Sequence, residues 1–214
     1  MNGARKRRPS RLDRLRARVA GAPPGPRQPD RRRAALIEAA GALFVEKGVE
    51  ATTVEEIAAR AGLAKGTVYH YFATKTELLD ALRDRFATDF HSRLIDAVAT
   101  CDPDDWAGKL RAWLREAVTA YFDMHALHDV VFHGSERPVR EAMGDIALVQ
   151  HLALLLRDGD AAGAWQVPRP REVAVILFHG LHGAADEAML DGRPAEDVRA
   201  LLVSLYERMI GVQG

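Results

Sequence analysis

The stretch from Val54 to Phe72, VEEIAARAGLAKGTVYHYF, constrains the fold more than any other part of this chain. Its spacing predicts a helix, a tight turn and a second helix. Ala58 is small enough for the two helices to approach closely, and Gly62 lies where the turn requires a positive φ angle, which costs glycine little. Val68 is apolar and branched, so it can fill the space between the helices. A helix-turn-helix places its second helix in the major groove, so the pattern predicts contact with DNA.

The composition is that of a globular chain. The 214 residues are 48% hydrophobic and 28% charged, enough for one or two domains with a proper core. Apolar runs such as Leu152 to Leu156 are short, and the N-terminus is charged, so we expect neither a membrane span nor a secretory signal. The single cysteine, Cys101, excludes an internal disulfide and fits a reducing cytoplasm.

The net charge of zero conceals a strong asymmetry. Residues 1–29 contain nine basic residues and one acidic residue, whereas the remainder contains 21 basic and 29 acidic residues. Residues 22–29 are rich in proline and cannot continue a helix. We therefore expect 1–29 to form a mostly disordered basic arm. Two interpretations of this arm stay open: it follows the DNA backbone or minor groove, or it is a solvated tail.

From residue 30 onward the hydrophobic pattern is helical nearly throughout, and no convincing run of alternating strands occurs. Caps and stops predict helices over about 30–47, 54–61, 64–71, 75–99, 171–190 and 195–212. Two further helices are predicted around Leu110 to Tyr121 and Val139 to Ala153. A long loop over 158–170 is expected to be anchored by Trp165. The fold class is therefore all-α.

The segment from Arg32 to about Phe86 resembles the DNA-binding domain of TetR-type transcriptional regulators. The resemblance is carried by FxxxG at Phe44 to Gly48, IAxxAG at Ile57 to Gly62, the KGTVYHYF block and the KxELL that follows it. It implies an N-terminal three-helix helix-turn-helix domain (30–76) and a C-terminal helical domain for ligand binding and dimerisation (77–214). It further implies a dimeric repressor that binds a palindromic operator and is released by an effector.

The predicted DNA contacts lie mostly on the second helix of the motif. Lys65 is a cation at the start of that helix, where a phosphate is also favoured by the helix N-terminus. Gly66 allows close approach of the backbone to DNA. The resemblance implies that some of these residues face bases and that others hold the phosphate backbone. The predicted set is Thr53, Lys65, Gly66, Thr67, Tyr69, His70, Tyr71 and Lys75.

The last two predicted helices carry apolar stripes that suit pairing with a second copy of the chain. Small residues such as Gly180 and Ala184 would let a partner helix approach closely. The resemblance implies a four-helix interface built from these two helices of each subunit. The alternative is that both stripes face the core of the monomer. The predicted dimerisation residues are Val173, Leu177, Gly180, Leu181, Ala184, Leu201 and Leu205.

A second face of the 171–190 helix is expected to line a cavity. A mostly apolar pocket with a few polar groups suits a small organic ligand, although plain core packing remains an alternative for each residue. The resemblance implies that an occupied cavity shifts the 77–99 helix and changes the separation of the two recognition helices. The predicted ligand-binding residues are Trp113, Tyr121, Phe122, His125, Phe178, His179 and His182.

The sequence gives less support to other classes of function. His179, His182 and Asp186 could bind a metal, which leaves a metal-responsive regulator as an alternative, but their spacing matches no strong metal motif. The chain has no GxSxG, phosphate loop or HExxH, so we expect no enzyme and no cofactor. A transcriptional activator remains open beside the repressor. The expected partners are an operator in double-stranded DNA, a small organic effector and a second copy of the chain, and not a membrane.

Overall fold

A computed structural model describes residues 28–133 and 147–212. Within these ranges the chain forms α-helices and one π-helical turn (Asp129–His133), and no strand, as the all-α prediction requires. The helices, in chain order, are α1 (Gln28–Lys47), α2 (Val54–Arg60), α3 (Lys65–Tyr71), α4 (Lys75–Ala99), α5 (Trp106–His128), α6 (Ala147–Ala161), α7 (Pro170–Leu190) and α8 (Ala195–Ile210).

The first three helices pack around the buried face of α1. Leu36, Ala40 and Phe44 on that face are at most 1% exposed. Helix α1 ends at Lys47 and is followed by Gly48, which has a φ of +85°. The helix begins at Gln28 rather than at the predicted Asp30. Residues 28 and 29 therefore belong to α1 and not to the arm, while 1–27 lie outside the described residues.

Helix α4 connects these helices to the rest of the chain. Its N-cap is Thr74, whose hydroxyl accepts a hydrogen bond from the Glu77 N–H at 3.1 Å. Leu78 and Leu82 near its start are buried, and the buried stripe continues through Phe86 and Leu94. The helix contacts α1 near its start and α5 along its length. A displacement of α4 therefore reaches both parts of the molecule.

The C-terminal helices pack around α5, with α6 against α7 and α8 against both α5 and α7. Trp165 anchors the connection after α6 as predicted, because its Nε1–H donates to the Leu156 carbonyl at 2.7 Å and its ring is buried over Gly159. Helix α6 extends to Ala161, so the loop is shorter than the predicted 158–170. The predicted helix positions 139–146 lie outside the described residues.

Helix α7 is more apolar than we expected from the sequence. By length and composition alone it could cross a membrane, which corrects the prediction that no segment could. Only 33% of its most apolar stretch is buried within the chain. A helix is apolar nearly all round when one face packs on its own chain and the opposite face packs on another surface. The composition of α7 is therefore explained without a membrane.

Candidate DNA-binding and effector sites

The turn between α2 and α3 has the predicted geometry. Gly62 has a φ of +66°, and the Leu63 N–H donates to the Ala58 carbonyl at 2.9 Å, which closes the end of α2. Ala58 is 3% exposed and Val68 is 2% exposed, so both lie in the interface between the two helices. The motif thereby holds α3 on a rigid support, with one face of α3 directed away from the protein.

Helix α3 divides its side chains between core and solvent. Val68 and the capping residue Phe72 are buried. Tyr69 is 51% exposed, and His70 beside it is also exposed. Thr67 and Tyr71 are half-buried, and the Tyr71 ring meets the His70 ring edge-on at 5.2 Å.

At the start of α3, Gly66 provides an open surface. A Cβ added there would meet nothing within 4 Å. Tyr69 and His70 therefore lie on an accessible surface of this helix, and a DNA backbone would meet no side chain at Gly66.

Two ion pairs hold charged residues of the first three helices in place. Lys65 pairs with Glu55 of α2, and this contact lowers the pKa of the Glu55 carboxyl and raises the pKa of Lys65. Lys47 forms the second ion pair, with Glu56. The Lys47 ammonium and the hydrogen bonds from Thr53 lower the pKa of Glu56 to about 2.

Thr53 forms a capping box with Glu56 at the N-terminus of α2. Its hydroxyl accepts from the Glu56 N–H at 3.3 Å, and its own N–H donates to Glu56 Oε2 at 2.9 Å. The hydroxyl also donates to the same carboxylate at 2.8 Å. Thr53 is therefore at an exposed helix N-terminus, as predicted, but its hydroxyl is already engaged within the protein.

The ammonium group of Lys75 is bound within the protein rather than left free to contact a phosphate. Its ammonium donates to the carbonyls of Val49, Glu50 and Thr52 at 3.0, 3.2 and 3.2 Å. The three donors of a lysine are thus directed at the loop between α1 and α2. Lys75 fixes that loop, and through it the position of Thr53.

Several of the predicted ligand-binding residues meet in an aromatic–histidine cluster, formed by Phe86, Tyr121, His128, Phe132, Phe178 and His182. The ring of Tyr121 lies 4.9 Å from that of His182, and the ring of Phe178 lies 4.4 Å from it. The Tyr121 hydroxyl donates to Asp186 Oδ1 at 2.5 Å. Burial first, and then the bond to this carboxylate, raise the pKa of Tyr121.

Two other predicted ligand-binding residues line an open cavity of about 620 Å³ beside the cluster. Phe122 and His125 border it together with Asp186, Met189 and other residues near the end of α7. His125 Nε2 lies 3.3 Å from an Asp129 carboxylate oxygen. The cavity thus combines apolar and charged walls.

Trp113 and His179 are not brought to this cavity. Trp113 is completely buried, and in the described residues its Nε1–H has no hydrogen-bond partner. His179 lies on the exposed face of α7.

The proposed metal ligands do not converge. Among residues 28–133 and 147–212, no three His, Cys, Asp or Glu side chains are grouped so as to hold a metal. The Phe178 carbonyl accepts a hydrogen bond from His182 Nδ1–H at 2.9 Å. Burial lowers the pKa of His182, which keeps the imidazole neutral.

The predicted dimerisation stripe is divided by the structure. Leu177 and Leu181 are each 1% exposed, so they pack inside the chain. Gly180 admits Tyr206 of α8, because a Cβ at Gly180 would lie 2.7 Å from the Tyr206 hydroxyl. Val173 and Ala184 are half-buried.

The exposed apolar face of α7 and α8 extends beyond the predicted dimerisation residues. Leu201 and Leu205 are 51% and 38% exposed, as a contact surface requires. Ile176, Gly183 and Leu190 lie on α7 at intervals of seven residues, and Ile176 and Leu190 are 61% and 85% exposed. The seven-residue interval from Gly183 was the signal in the sequence that could have identified Leu190.

An all-α chain with a helix-turn-helix whose second helix exposes one face is typical of helix-turn-helix transcriptional regulators. Residues 36–82 match the family model described as bacterial regulatory proteins of the tetR family. The probable regulator ArpR of Pseudomonas putida is 30% identical over 162 residues, which cover 71% of this chain and 77% of ArpR. The chain belongs to the TetR family.

Other relatives match over shorter or more distant regions. The transcriptional repressor KstR2 of Mycobacterium tuberculosis is 42% identical over 87 residues, 40% of each protein, so this chain matches about two fifths of that relative's length. SmeT, the repressor of the multidrug efflux pump SmeDEF in Stenotrophomonas maltophilia, shares the fold with a TM-score of 0.67. It is 24% identical and covers 85% of this chain and 90% of its own. These relatives are transcriptional regulators.

Proposed function

We propose that this protein is a ligand-responsive transcriptional repressor that binds a palindromic operator as a homodimer in the bacterial cytoplasm. The exposed face of α3 carries this proposal. Thr67, Tyr69 and His70 provide polar tips and ring faces for base edges beside the open backbone of Gly66. Lys65 and Tyr71 contact phosphates at the two ends of the helix.

Thr53 and Lys75 lie outside α3 but contribute to DNA binding by positioning α2. Thr53 presents the N-terminus of α2 to a phosphate, because the first N–H groups of a helix favour an anion. Lys75 acts as a positioning residue, since its three hydrogen bonds hold the loop that precedes Thr53. The two residues thereby place α2 as well as α3 against the backbone.

Pairing follows from the exposed face of α7 and α8. One recognition helix contacts only a few base pairs, so two half-sites are needed for specificity. Ile176, Leu201, Leu205 and Met209 expose between 38% and 61% of their surface on the two helices. Gly183 leaves room for a partner helix, because nothing lies within 4 Å of a Cβ placed there. Burial of these side chains stabilises the dimer.

The effector is a small organic molecule that binds between α5 and α7. The cavity and the adjoining aromatic–histidine cluster support this, as does the complex of SmeT with triclosan. Coupling to DNA passes through α4. Phe86 of α4 belongs to the cluster and lies 5.9 Å from the His128 ring. Arg83 Nε donates to the Val131 carbonyl of the π-helical turn at 2.5 Å. Rearrangement of the cluster therefore shifts α4 and with it α1 to α3.

The test is the capture of genomic DNA fragments by the purified protein, in low and in physiological salt, followed by sequencing. A palindromic motif with half-sites about one helical turn apart is expected. Tyr69→Ala and His70→Ala should abolish its enrichment, while the exposed but remote Leu154→Ala should not. Salt-sensitive binding with no enriched sequence would overturn the proposal.

A promoter that carries the captured motif shows whether the protein represses or activates transcription, and which class of effector releases it. Transcription from a promoter carrying it should fall when the protein is added and recover with an organic effector. A rise on addition of protein would instead identify an activator. Release of DNA by Zn²⁺ at micromolar concentration, and not by organic compounds, would favour the metal-responsive alternative.

A further inference from the structure

A groove of about 450 Å³ runs between α1 and α4, where the helices that support the recognition helix meet the C-terminal helices. Its volume is sufficient for a small organic molecule. The residues predicted to bind DNA or the effector lie elsewhere in the chain. We call this feature the α1–α4 groove.

Apolar residues of three helices line the α1–α4 groove. They are Gly41 and Val45 of α1, Leu82 and Phe86 of α4, and Leu127 of α5. A Cβ at Gly41 would lie 3.1 Å from Leu82 Cδ1, so α1 and α4 approach closely at the base of the groove. Val45 is 44% exposed, which is unusual for a large apolar residue. A ligand that covered Val45 would remove apolar surface from water, which is favourable.

The charged side chains at the groove are mostly acidic. Within the described ranges, three carboxylates and one guanidinium border it, those of Glu38, Glu46, Asp89 and Arg85. Arg85 pairs with Asp89, and Glu46 pairs with Arg60. Counting Arg60, acids still outnumber bases by three to two. Glu38 is exposed and forms no ion pair among residues 28–133 and 147–212, so its charge is available to a ligand.

This combination of walls and charges selects one class of ligand. An apolar body, aliphatic or aromatic, fits the lining, and a positive charge is attracted by the excess of carboxylates. A carboxylate or phosphate ligand would meet repulsion from Glu38 and Asp89, with Arg85 as its sole attraction among the residues named above. The groove therefore suits an apolar organic cation.

Phe86 connects the α1–α4 groove to the aromatic–histidine cluster. Its ring lies 5.9 Å from the His128 ring and 5.7 Å from the Phe132 ring. Leu127, which also borders the groove, precedes His128 in α5. A molecule in the groove thus contacts α1, α4 and α5 at once, and it contacts a ring that belongs to the cluster.

We propose that the α1–α4 groove is a second ligand site, separate from the cavity between α5 and α7, and that it binds an apolar organic cation. Bound there, the cation fixes α1 relative to α4 and thereby changes the affinity of the protein for its operator. The effect on the operator rests on the proposed function, whereas the site itself can be tested without DNA.

The test is calorimetric titration of the full-length protein with decyltrimethylammonium, below its micelle-forming concentration and without DNA. Decanoate has a similar chain and the opposite charge. It should bind about tenfold more weakly, because an attraction is replaced by a repulsion of similar size. Glu38→Gln should weaken binding of the cation about threefold, since an exposed ion pair contributes little.

Two substitutions change the apolar lining from exposed positions of α1. Ala42 borders the groove, and Ala42→Phe would fill it. Binding of decyltrimethylammonium should weaken about tenfold, which corresponds to about two methylene groups that are no longer buried. Val45→Ser removes part of the wall and should weaken binding in the same direction. Helical circular dichroism identifies the variants that are folded.

Matched controls place the same changes away from the groove. Ala87→Phe and Glu187→Gln alter exposed residues of α4 and α7 that do not border it. His125→Ala alters the cavity between α5 and α7. All three should bind decyltrimethylammonium as the unchanged protein does.

The effect on DNA is measured by anisotropy on a duplex that carries the captured motif. Saturating decyltrimethylammonium should change the operator affinity of the unchanged protein, and the affinity of Ala42→Phe should not respond. An affinity that is the same with and without the cation would overturn the regulatory role of the groove.

The site is overturned if Ala42→Phe and Val45→Ser bind the cation as tightly as the unchanged protein does. Loss of binding in His125→Ala would also overturn it, because the cation would then occupy the other cavity. Decanoate binding as tightly as the cation would overturn the ligand class. Failure of the proposed function gives a different result: motif and random duplexes would be bound equally, while titrations without DNA would still detect the site.

Discussion

Lys65 at the start of the recognition helix forms an ion pair with Glu55 of the preceding helix. Both side chains are more than half exposed, so the pair contributes little to stability and can open at low cost. The carboxylate holds the ammonium in place but also competes with any phosphate that approaches it.

Substitutions of the two partners should therefore change DNA affinity in opposite directions. Lys65→Ala should weaken binding and lower the salt slope by about 0.9 per subunit. Glu55→Gln should strengthen binding, because the competing carboxylate is lost. Glu38→Gln, which removes one negative charge from an exposed position on α1, is the control in fluorescence anisotropy titrations over a salt series. Weaker binding by Glu55→Gln would contradict this role of Lys65.

Replacing Lys75 should lower stability as well as DNA affinity. Its ammonium makes three hydrogen bonds to carbonyls of the loop between α1 and α2. We expect Lys75→Met to cost about 1 kcal/mol of unfolding free energy, since two part-buried carbonyls and one exposed carbonyl lose their donor. Lys65→Met is the matched control and should leave the urea midpoint unchanged. An unchanged midpoint for Lys75→Met would mean that the lysine serves DNA alone.

Two glycines of α7 should respond oppositely to alanine. At Gly180 a Cβ would lie 2.7 Å from the Tyr206 hydroxyl, so Gly180→Ala should destabilise the chain by about 1–3 kcal/mol. At Gly183 nothing lies within 4 Å, so Gly183→Ala should leave chain stability equal or raise it by about 1 kcal/mol through helix propensity. Thermal unfolding of a dilute sample distinguishes the two, and equal effects would refute this assignment of faces.

A charge on the exposed face of α7 and α8 should separate the subunits. Ile176→Glu/Leu201→Glu places two carboxylates where apolar surface is expected to be buried between copies. Sedimentation velocity should show a monomer that retains its helical circular dichroism but loses operator binding. Leu154→Glu on α6 changes a leucine that is 40% exposed and should leave the dimer intact. A dimer that survives the double substitution would exclude this face.

Acid should destabilise the fold through His182. Burial lowers the pKa of His182 below its ordinary 6.5, so the folded state binds this proton less readily than the unfolded state. The neutral His182 contributes its full stabilisation above pH 6.5. That stabilisation is lost as the pH falls from 6.5 through the pKa of His182 in the folded state. His182→Phe should flatten that part of the curve of unfolding free energy against pH, and an unchanged curve would contradict this role of His182.

The residues around the helix-turn-helix could be identified from the sequence because their interactions are local. The Thr53–Glu56 capping box spans three residues, and the positive φ of Gly62 follows from its place between two short helices. Such contacts depend on backbone geometry that every helix shares. The recognition block, its inner face at Val68 and the helix boundaries could therefore be predicted before any tertiary contact was known.

Tertiary structure alone decided which of several plausible faces each helix buries. Helix α7 carries two apolar stripes, and helical periodicity fits both; only its packing against the other helices shows that Leu177 is buried and Ile176 exposed. Lys75 meets loop carbonyls 23 to 26 residues away. The Tyr121–Asp186 bond spans 65 residues. Contacts at such separations depend on how all the helices pack at once, which no local pattern of residues specifies.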